Sequence, residues 1–236
     1  MDTGDNKESE ALREKEWLEI KSSNSWTLFR ILGEFVDGFE KLEKIGPCVS
    51  LYGSARTKPG TPHYELAEEI AINLVKQGYG VITGAGPGIM EAGNKGAQQS
   101  NGKSVGLHIK LDFEPEPNAF VDTKNLISFK YFFVRKVTFV KYSQGFIVMP
   151  GGMGTLDELF EAINLVKTYK IAKFPIVLVD SAYWKDLVVW LRNKVYQEYR
   201  YIENSDFDLF HVVDSARDAV QIINDFYEKY GLKPNF

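Results

Sequence analysis

The chain has 236 residues, 44% of them hydrophobic and 25% charged, and its 28 Lys plus Arg against 32 Asp plus Glu give a formal net charge of −4. That profile suits a globular chain with one sizeable core and lacks the basic field that would hold a nucleic-acid backbone. The lone Cys48, the scattered His63, His108 and His211, an acidic N-terminus (Asp2, Asp5, Glu8) and no run near the roughly 18 apolar residues of a membrane span point to a cytoplasmic protein without disulfide, metal or membrane contact.

Residues 1–20 form an acidic N-terminal segment expected to be mobile, since its first residues carry no large apolar side chain to offset their ordering entropy. Residues 21–46 hold an amphipathic helix. In it Trp26, Phe29, Leu32, Val36 and Phe39 recur at steps of three and four, and this face is expected to cover the core or to meet a second copy. Residues 47–236 then alternate short apolar runs, turns and helix-length segments, the pattern of βαβ units. The predicted strands are Cys48 to Tyr52, Gly80 to Thr83, Ser104 to Ile109, Leu126 to Phe129, Gly145 to Met149, Pro175 to Val179 and Phe210 to Val213. The predicted helices are Tyr64 to Gln77, Gly88 to Gln99, Tyr131 to Ser143, Thr155 to Thr168, Trp184 to Glu198 and Ser215 to Tyr230. Unbroken apolar strands are covered on both faces, so the expected fold is α/β: a Rossmann-like, doubly wound, largely parallel sheet in a single domain.

Ligands of such sheets sit beyond the carboxyl ends of the strands, which directs attention to three glycine-rich turns. They are Gly53-Ser54-Ala55-Arg56, Gly84-Ala85-Gly86-Pro87-Gly88 and Pro150-Gly151-Gly152-Met153-Gly154-Thr155. The third joins an apolar strand to a helix, and its glycines let the backbone approach a ligand while the helix amides favour an anion, so phosphate is the natural guest. A competing explanation is a capping box, with Thr155 as N-cap and Glu158 reaching back. The second turn misses the dinucleotide fingerprint because position 89 is Ile89, and Gly102-Lys103-Ser104 misses the nucleoside-triphosphate loop because position 97 is Ala97. A monophosphate or phosphate-bearing sugar, held by several turns at once, is the remaining reading.

Arg135 and Lys136 lie on the helix before the Gly145 strand, opposite an apolar face of Phe132, Phe133, Val137 and Val140. Adjacent cations there are commonly solvated surface. A carboxylate such as Glu158 beside a phosphate pocket repels the ligand unless it serves some other purpose, and catalysis supplies one.

The run Pro150 to Glu158, of the form Pro-Gly-Gly-x-Gly-Thr-x-x-Glu, together with Arg135-Lys136 upstream, resembles the LOG family of cytokinin-activating phosphoribohydrolases, also labelled lysine decarboxylase-like. The resemblance runs from about Pro47 to Val213. It implies a Rossmann-like homodimer that hydrolyses the N-glycosidic bond of AMP or an N6-substituted AMP without a cofactor, releasing base and ribose 5-phosphate. By resemblance Arg135 and Glu158 are the catalytic pair. Gly151, Gly152, Gly154 and Thr155 hold the phosphate, with Lys136 nearby, and Gly53, Ser54, Gly84, Gly86 and Gly88 belong to the other substrate-binding turns. A carboxylate near the anomeric carbon suits a transition state that builds positive charge on the sugar, and a guanidinium can hold oxygens with a forked geometry. A decarboxylase would need a Schiff-base lysine, and nothing around Lys95 or Lys136 singles either out. The chain departs from the plant-type pattern at Phe132 and Asn164, and an acid usual before the Arg-Lys helix matches Glu114 or Glu116 only loosely; these positions bear on the base.

Two alternatives stand beside the hydrolase. One is a non-catalytic carrier of a phosphorylated nucleotide or cofactor, resembling the molybdenum-cofactor carriers of similar fold. The other is an oligomeric scaffold with a vestigial pocket, suggested by the aromatic helix Trp26 to Phe39.

Overall fold

The structure is a computed structural model that describes residues 25–110, 116–232 and 235. The N-terminal segment expected to be mobile, residues 1–20, and Glu114 lie outside the described residues. Helix α1 covers residues 25–42. There follow β1 (Cys48–Tyr52), α2 (Pro62–Lys76), β2 (Gly80–Thr83), α3 (Ile89–Gln99), β3 (Ser104–Ile109), β4 (Leu126–Phe129), α4 (Phe132–Tyr142), β5 (Ser143–Val148), α5 (Met153–Lys167), β6 (Ile176–Val179), α6 (Ser181–Trp190) and β7 (His211–Val213). Helix α7 (Ala216–Tyr230) ends the fold. The segment expected as one helix from Trp184 to Glu198 starts at Ser181 and passes into a π-helix over Leu191–Glu198.

The strands form one seven-stranded sheet in the order β4-β3-β2-β1-β5-β6-β7, and every paired neighbour is parallel. Strands β1, β2, β3 and β5 are buried at every residue, as their apolar runs require. One core gathers Leu42 of α1, Val134 and Phe139 of α4, Leu159 and Ala162 of α5 and Trp184 of α6 against one face of the sheet. The other gathers Tyr64, Ile70 and Leu74 of α2, Ala92 and Ala97 of α3 and Ala219 and Ile223 of α7 against the opposite face.

Helix α1 corrects an expectation. Of the face expected to cover the core or to meet a second copy, Trp26, Phe29, Leu32 and Val36 are 71, 63, 50 and 62% exposed, and only Phe39 is half-buried, against Tyr142. The inward side is instead Ile31, Phe35, Gly38 and Leu42, with Gly38 close enough that a Cβ there would sit 3.4 Å from the Phe129 ring. Two apolar stripes of helical spacing coexist on α1, and periodicity alone does not say which one meets the sheet. The helix also anchors its neighbour, because the Glu34 carboxylate accepts from the amides of Lys130 (2.9 Å) and Tyr131 (3.2 Å), where α4 begins. An anion there complements the unpaired amides and the positive end of the helix dipole.

Helices α2 and α3 meet most closely at Gly96, where an added Cβ would collide with the Glu68 carbonyl and lie 2.9 Å from the Ala71 Cβ. Alanine gains about 1 kcal/mol in helix propensity, and overpacking against backbone costs about 1–3 kcal/mol. Gly96→Ala is therefore expected to lower the stability measured by urea unfolding by about 1 kcal/mol, despite the better helix former.

Candidate active site

The three glycine turns stand together at the carboxyl edge of the sheet, where the strand order reverses between β1 and β5. The Ser54 amide donates to the Pro150 carbonyl (3.0 Å), the Ile89 amide to the Ser54 carbonyl (3.1 Å) and the Met149 amide to the Tyr52 carbonyl (2.8 Å). The turns thus brace one another. Helix α2 leaves β1 toward one face and α5 leaves β5 toward the other, which opens the crevice expected of a doubly wound sheet.

The glycines of these turns divide into two groups. A Cβ at Gly53 would sit 2.7 Å from the Ile89 side chain, and at Gly84 and Gly86 2.8 and 2.6 Å from the Met90 thioether. At Gly88, whose φ is +70°, it would strike the Ser54 carbonyl, and at Gly151 the Thr155 side chain. Packing within the chain accounts for Gly53, Gly88 and Gly151, whereas at Gly84 and Gly86 the neighbour is the movable end of Met90. At Gly152 and Gly154 a Cβ would meet nothing within 4 Å, so the bare backbone there faces open space.

Helix α5 corrects a second expectation, because it starts at Met153 with Gly152 as N-cap and no side-chain cap. Thr155 is therefore a buried residue of the first turn instead of the N-cap, and the capping box does not form. The early start leaves the amides of the first turn for a ligand. It also carries Glu158 away from the helix end and toward α4.

There Nη2 of Arg135 donates to Oε1 of Glu158 at 3.3 Å, with side chains only 12 and 13% exposed. Arg135 is thus not solvated surface. Its guanidinium lies 5.3 Å from the Phe132 ring centroid and 5.7 Å from that of Phe139, and its Nε is buried without a partner. The apolar face of α4 is correspondingly rotated from the one expected: Val134, Thr138, Phe139 and Val140 are buried, while Phe132 and Phe133 are 46 and 49% exposed. Rotating the helix turns Arg135 inward. Nη1 of Arg135 also reaches the second glycine turn, 3.5 Å from where a Gly84 Cβ would stand.

Lys136 points to a different set of partners, Asp157 at 2.7 Å and Glu161 at 3.2 Å on α5. Burial works against its charge, but the two carboxylates outweigh it and raise its pKa. The chain therefore brings Arg135 and Glu158 together beside the turns and ties Lys136 along the flank of α5. Lys95, the other lysine considered, pairs with Glu68 at 2.8 Å on α2.

Four further residues carry little signal in the sequence. Tyr183 of α6 donates its hydroxyl to the Gly151 carbonyl at 2.6 Å, fixing the third turn from the side. Asn94, fully buried in α3, accepts from the Thr83 hydroxyl (2.5 Å) and from the Asn118 amide (3.0 Å), while Asn118 also donates to the Gly86 carbonyl (2.9 Å). Tyr52 buries its hydroxyl without a partner among Phe139 and Phe146. A polar residue inside a helix is the one sequence signal any of them left, in Asn94.

Burial pushes the Glu158 carboxyl up from 4.5 to about 7, outweighing the opposing pull of Arg135 and Lys136. The fold thus favours the protonated acid, so its stabilising effect is complete below the ordinary carboxylate pKa and is lost as pH rises through about 7. Glu158→Gln, which keeps the shape and cannot ionise, is expected to melt close to the parent at about pH 4 and above it at about pH 8. A melting difference independent of pH would contradict this.

With this geometry in place, the comparisons with known proteins bear on it directly. The family described as "Possible lysine decarboxylase" matches residues 90–223. A cytokinin riboside 5′-monophosphate phosphoribohydrolase of Mycobacterium tuberculosis is 32% identical over 159 residues, 66% of this chain and 83% of that one. The protein of the same name from Mycobacterium marinum is 27% identical over 158 residues, with the same coverage. Among solved structures, the molybdenum cofactor binding protein of Rippkaea orientalis superposes with a TM-score of 0.54 at 19% identity, covering 76% of this chain and 95% of that one, a likeness of fold alone. The matched residues 90–223 contain Arg135, Glu158 and the turn between β5 and α5, and the chain belongs to the LOG family, whose description reads "Possible lysine decarboxylase".

Proposed function

We propose that this protein hydrolyses the N-glycosidic bond of purine nucleoside 5′-monophosphates, AMP or an N6-substituted AMP, to free base and ribose 5-phosphate. The observation that carries the reading is the buried Arg135–Glu158 pair beside three interlocked glycine turns, one of which ends in an uncapped helix N-terminus. The 5′-phosphate would sit on the first amides of α5, over the open backbone at Gly152 and Gly154, with Thr155 in the same turn. Gly53, Ser54, Gly84, Gly86 and Gly88 would shape the crevice for the rest of the nucleotide, and Lys136 would act at a remove, by tying α4 to Asp157 and Glu161 of α5.

In the reaction a water oxygen bonds to the anomeric carbon as the bond from that carbon to the base nitrogen breaks. Ionised Glu158 would stabilise the positive charge that grows on the sugar and take the proton from the attacking water, while the departing base nitrogen takes up a proton from solvent. Arg135 would hold the carboxylate and the substrate oxygens with its fork. Its planar cation within about 6 Å of the Phe132 and Phe139 ring centroids is a role that lysine does not fill.

A decarboxylase finds less support. Pyridoxal-phosphate chemistry needs an amine able to form a Schiff base, and the ammonium groups of Lys95 and Lys136 are both held by carboxylates. A carrier of a phosphorylated cofactor is the second reading, favoured only by the fold it shares with the molybdenum cofactor binding protein. Ligand retained through purification with no base released would favour that carrier. A homodimer accords with the exposed side chains of Trp26, Phe29, Leu32 and Val36 on α1 and of Phe132 and Phe133 on α4, large apolar groups that a second copy would cover.

Incubation with AMP and with N6-isopentenyl AMP, followed by chromatography of base and ribose 5-phosphate, tests the proposal. Turnover is expected to fall by about 100-fold or more in Glu158→Gln and in Arg135→Lys. In the parent, kcat/KM is expected to rise with pH through about 7 as Glu158 loses its proton. Full turnover in Glu158→Gln would sink the role given to Glu158, and release of base from neither nucleotide by the parent would sink the hydrolase. Gly154→Ala separates fold from ligand: alanine in the helix is expected to raise stability by up to about 1 kcal/mol, while calorimetry shows weaker AMP binding because its methyl occupies the phosphate space.

A further inference from the structure

A cavity of about 510 Å³ lies at the β3–β4 edge of the sheet, lined by His108, Lys110, Asn118, Thr123 and Ser128 among others. Val105, Leu107 and Ile109 of β3 and Ile127 and Phe129 of β4 face the core beneath α4 and α5. By strand alternation His108 and Ser128 face the other way. The sheet therefore stands between this cavity and the Arg135–Glu158 pair.

His108 is the unusual member. It is only 9% exposed, yet neither Nδ1 nor Nε2 has a hydrogen-bond partner. Buried polar atoms are seldom left so, and a neutral imidazole presents one donor and one acceptor to whatever fills the space. Around it are the Lys110 ammonium and the hydroxyls of Thr123 and Ser128, which together suit an anion, while Val121 and Leu126 supply apolar wall. Glu116 adds an opposing charge, but it is exposed at the lip.

The cavity wall is also tied to the active site. The Asn118 amide donates to the Ala85 carbonyl (2.8 Å) and its side chain to the Gly86 carbonyl (2.9 Å) and to Asn94 (3.0 Å). Ala85 holds a φ of +63°, a left-handed conformation that these bonds help to maintain. Whatever moves the loop around Asn118 acts on the Gly84–Gly88 turn.

We propose that this cavity is a second binding site, separate from the nucleotide crevice, which takes a compact anionic metabolite, a phosphate monoester or a carboxylic acid, and adjusts nucleotide affinity through Asn118. The anion meets Lys110 and the His108 imidazole, and the hydroxyls of Thr123 and Ser128 complete its hydrogen bonds.

The test follows the side-chain nitrogen resonances of the three histidines while glycerol 3-phosphate or succinate is added to the intact protein. His108 is expected to shift saturably at millimolar concentration with one of the two, while His63 and His211 stay put. By calorimetry, probe affinity falls about tenfold or more in His108→Leu and in Lys110→Ala, the latter removing a charge-assisted bond at an exposed position that the fold does not need. With the site filled, AMP affinity by calorimetry changes about fivefold or more. No saturable shift with either probe, undiminished affinity in Lys110→Ala, or displacement of the probe by AMP would each overturn the separate site, the last by making it part of the nucleotide crevice. Unchanged AMP affinity would overturn the link through Asn118. The resonances are read without turnover, so failure of the hydrolase reading leaves this test intact.

Discussion

Strand β1 lies between β2 and β5, and from it the chain winds outward first toward β4 and then toward β7. In a parallel sheet every following helix begins at the same edge, so the positive ends of the helix dipoles converge there. Between β1 and β5 the helices part to opposite faces, and the two turns on either side of the gap carry Gly53 and Gly151. The remaining features of the site depend on that reversal: it brings together turns nearly one hundred residues apart and leaves the start of α5 open.

Burial of an ionisable pair at this crevice is the second constraint. Arg135 and Glu158 come from neighbouring helices on the same face of the sheet, with Phe132 and Phe139 flanking the guanidinium. Withdrawing two charges from water is costly, and the upward shift of Glu158 shows that its positive neighbours do not fully offset the loss. Such a pair contributes little to stability. It is better understood as a carboxyl poised near neutrality and a guanidinium held in register, both of use to a reaction that develops charge. Helix α1 belongs to the same arrangement, since Glu34 anchors the start of the helix that presents Arg135.

The glycine turns show how packing divides positions of one residue type. Gly53, Gly88 and Gly151 are small because neighbouring atoms leave no room, Gly84 and Gly86 face only the movable end of Met90, and Gly152 and Gly154 border empty space. The turns are not independent loops. Their mutual amide bonds, Tyr183 on the third and Asn118 on the second tie them to one another and to the rest of the sheet edge.

Much of this was legible in the chain. The strands Cys48–Tyr52, Gly80–Thr83, Ser104–Ile109 and Leu126–Phe129 coincide with their apolar runs, because strands buried on both faces admit few polar residues and the turns between them need glycine. Local spacing likewise set Pro150 to Glu158 at a strand-to-helix junction and placed Arg135 one element upstream. What local pattern could not supply was orientation. Whether α1 buries Ile31 or Trp26, whether α4 turns Arg135 inward, and whether Glu158 closes a capping box or meets Arg135 are all decided by contacts between residues far apart in sequence. Asn118 and the orphaned imidazole of His108 are invisible for the same reason. A periodic sequence fixes which residues share a face, but only the packing of one element on another determines where that face points, and the chemistry of this protein depends on the latter.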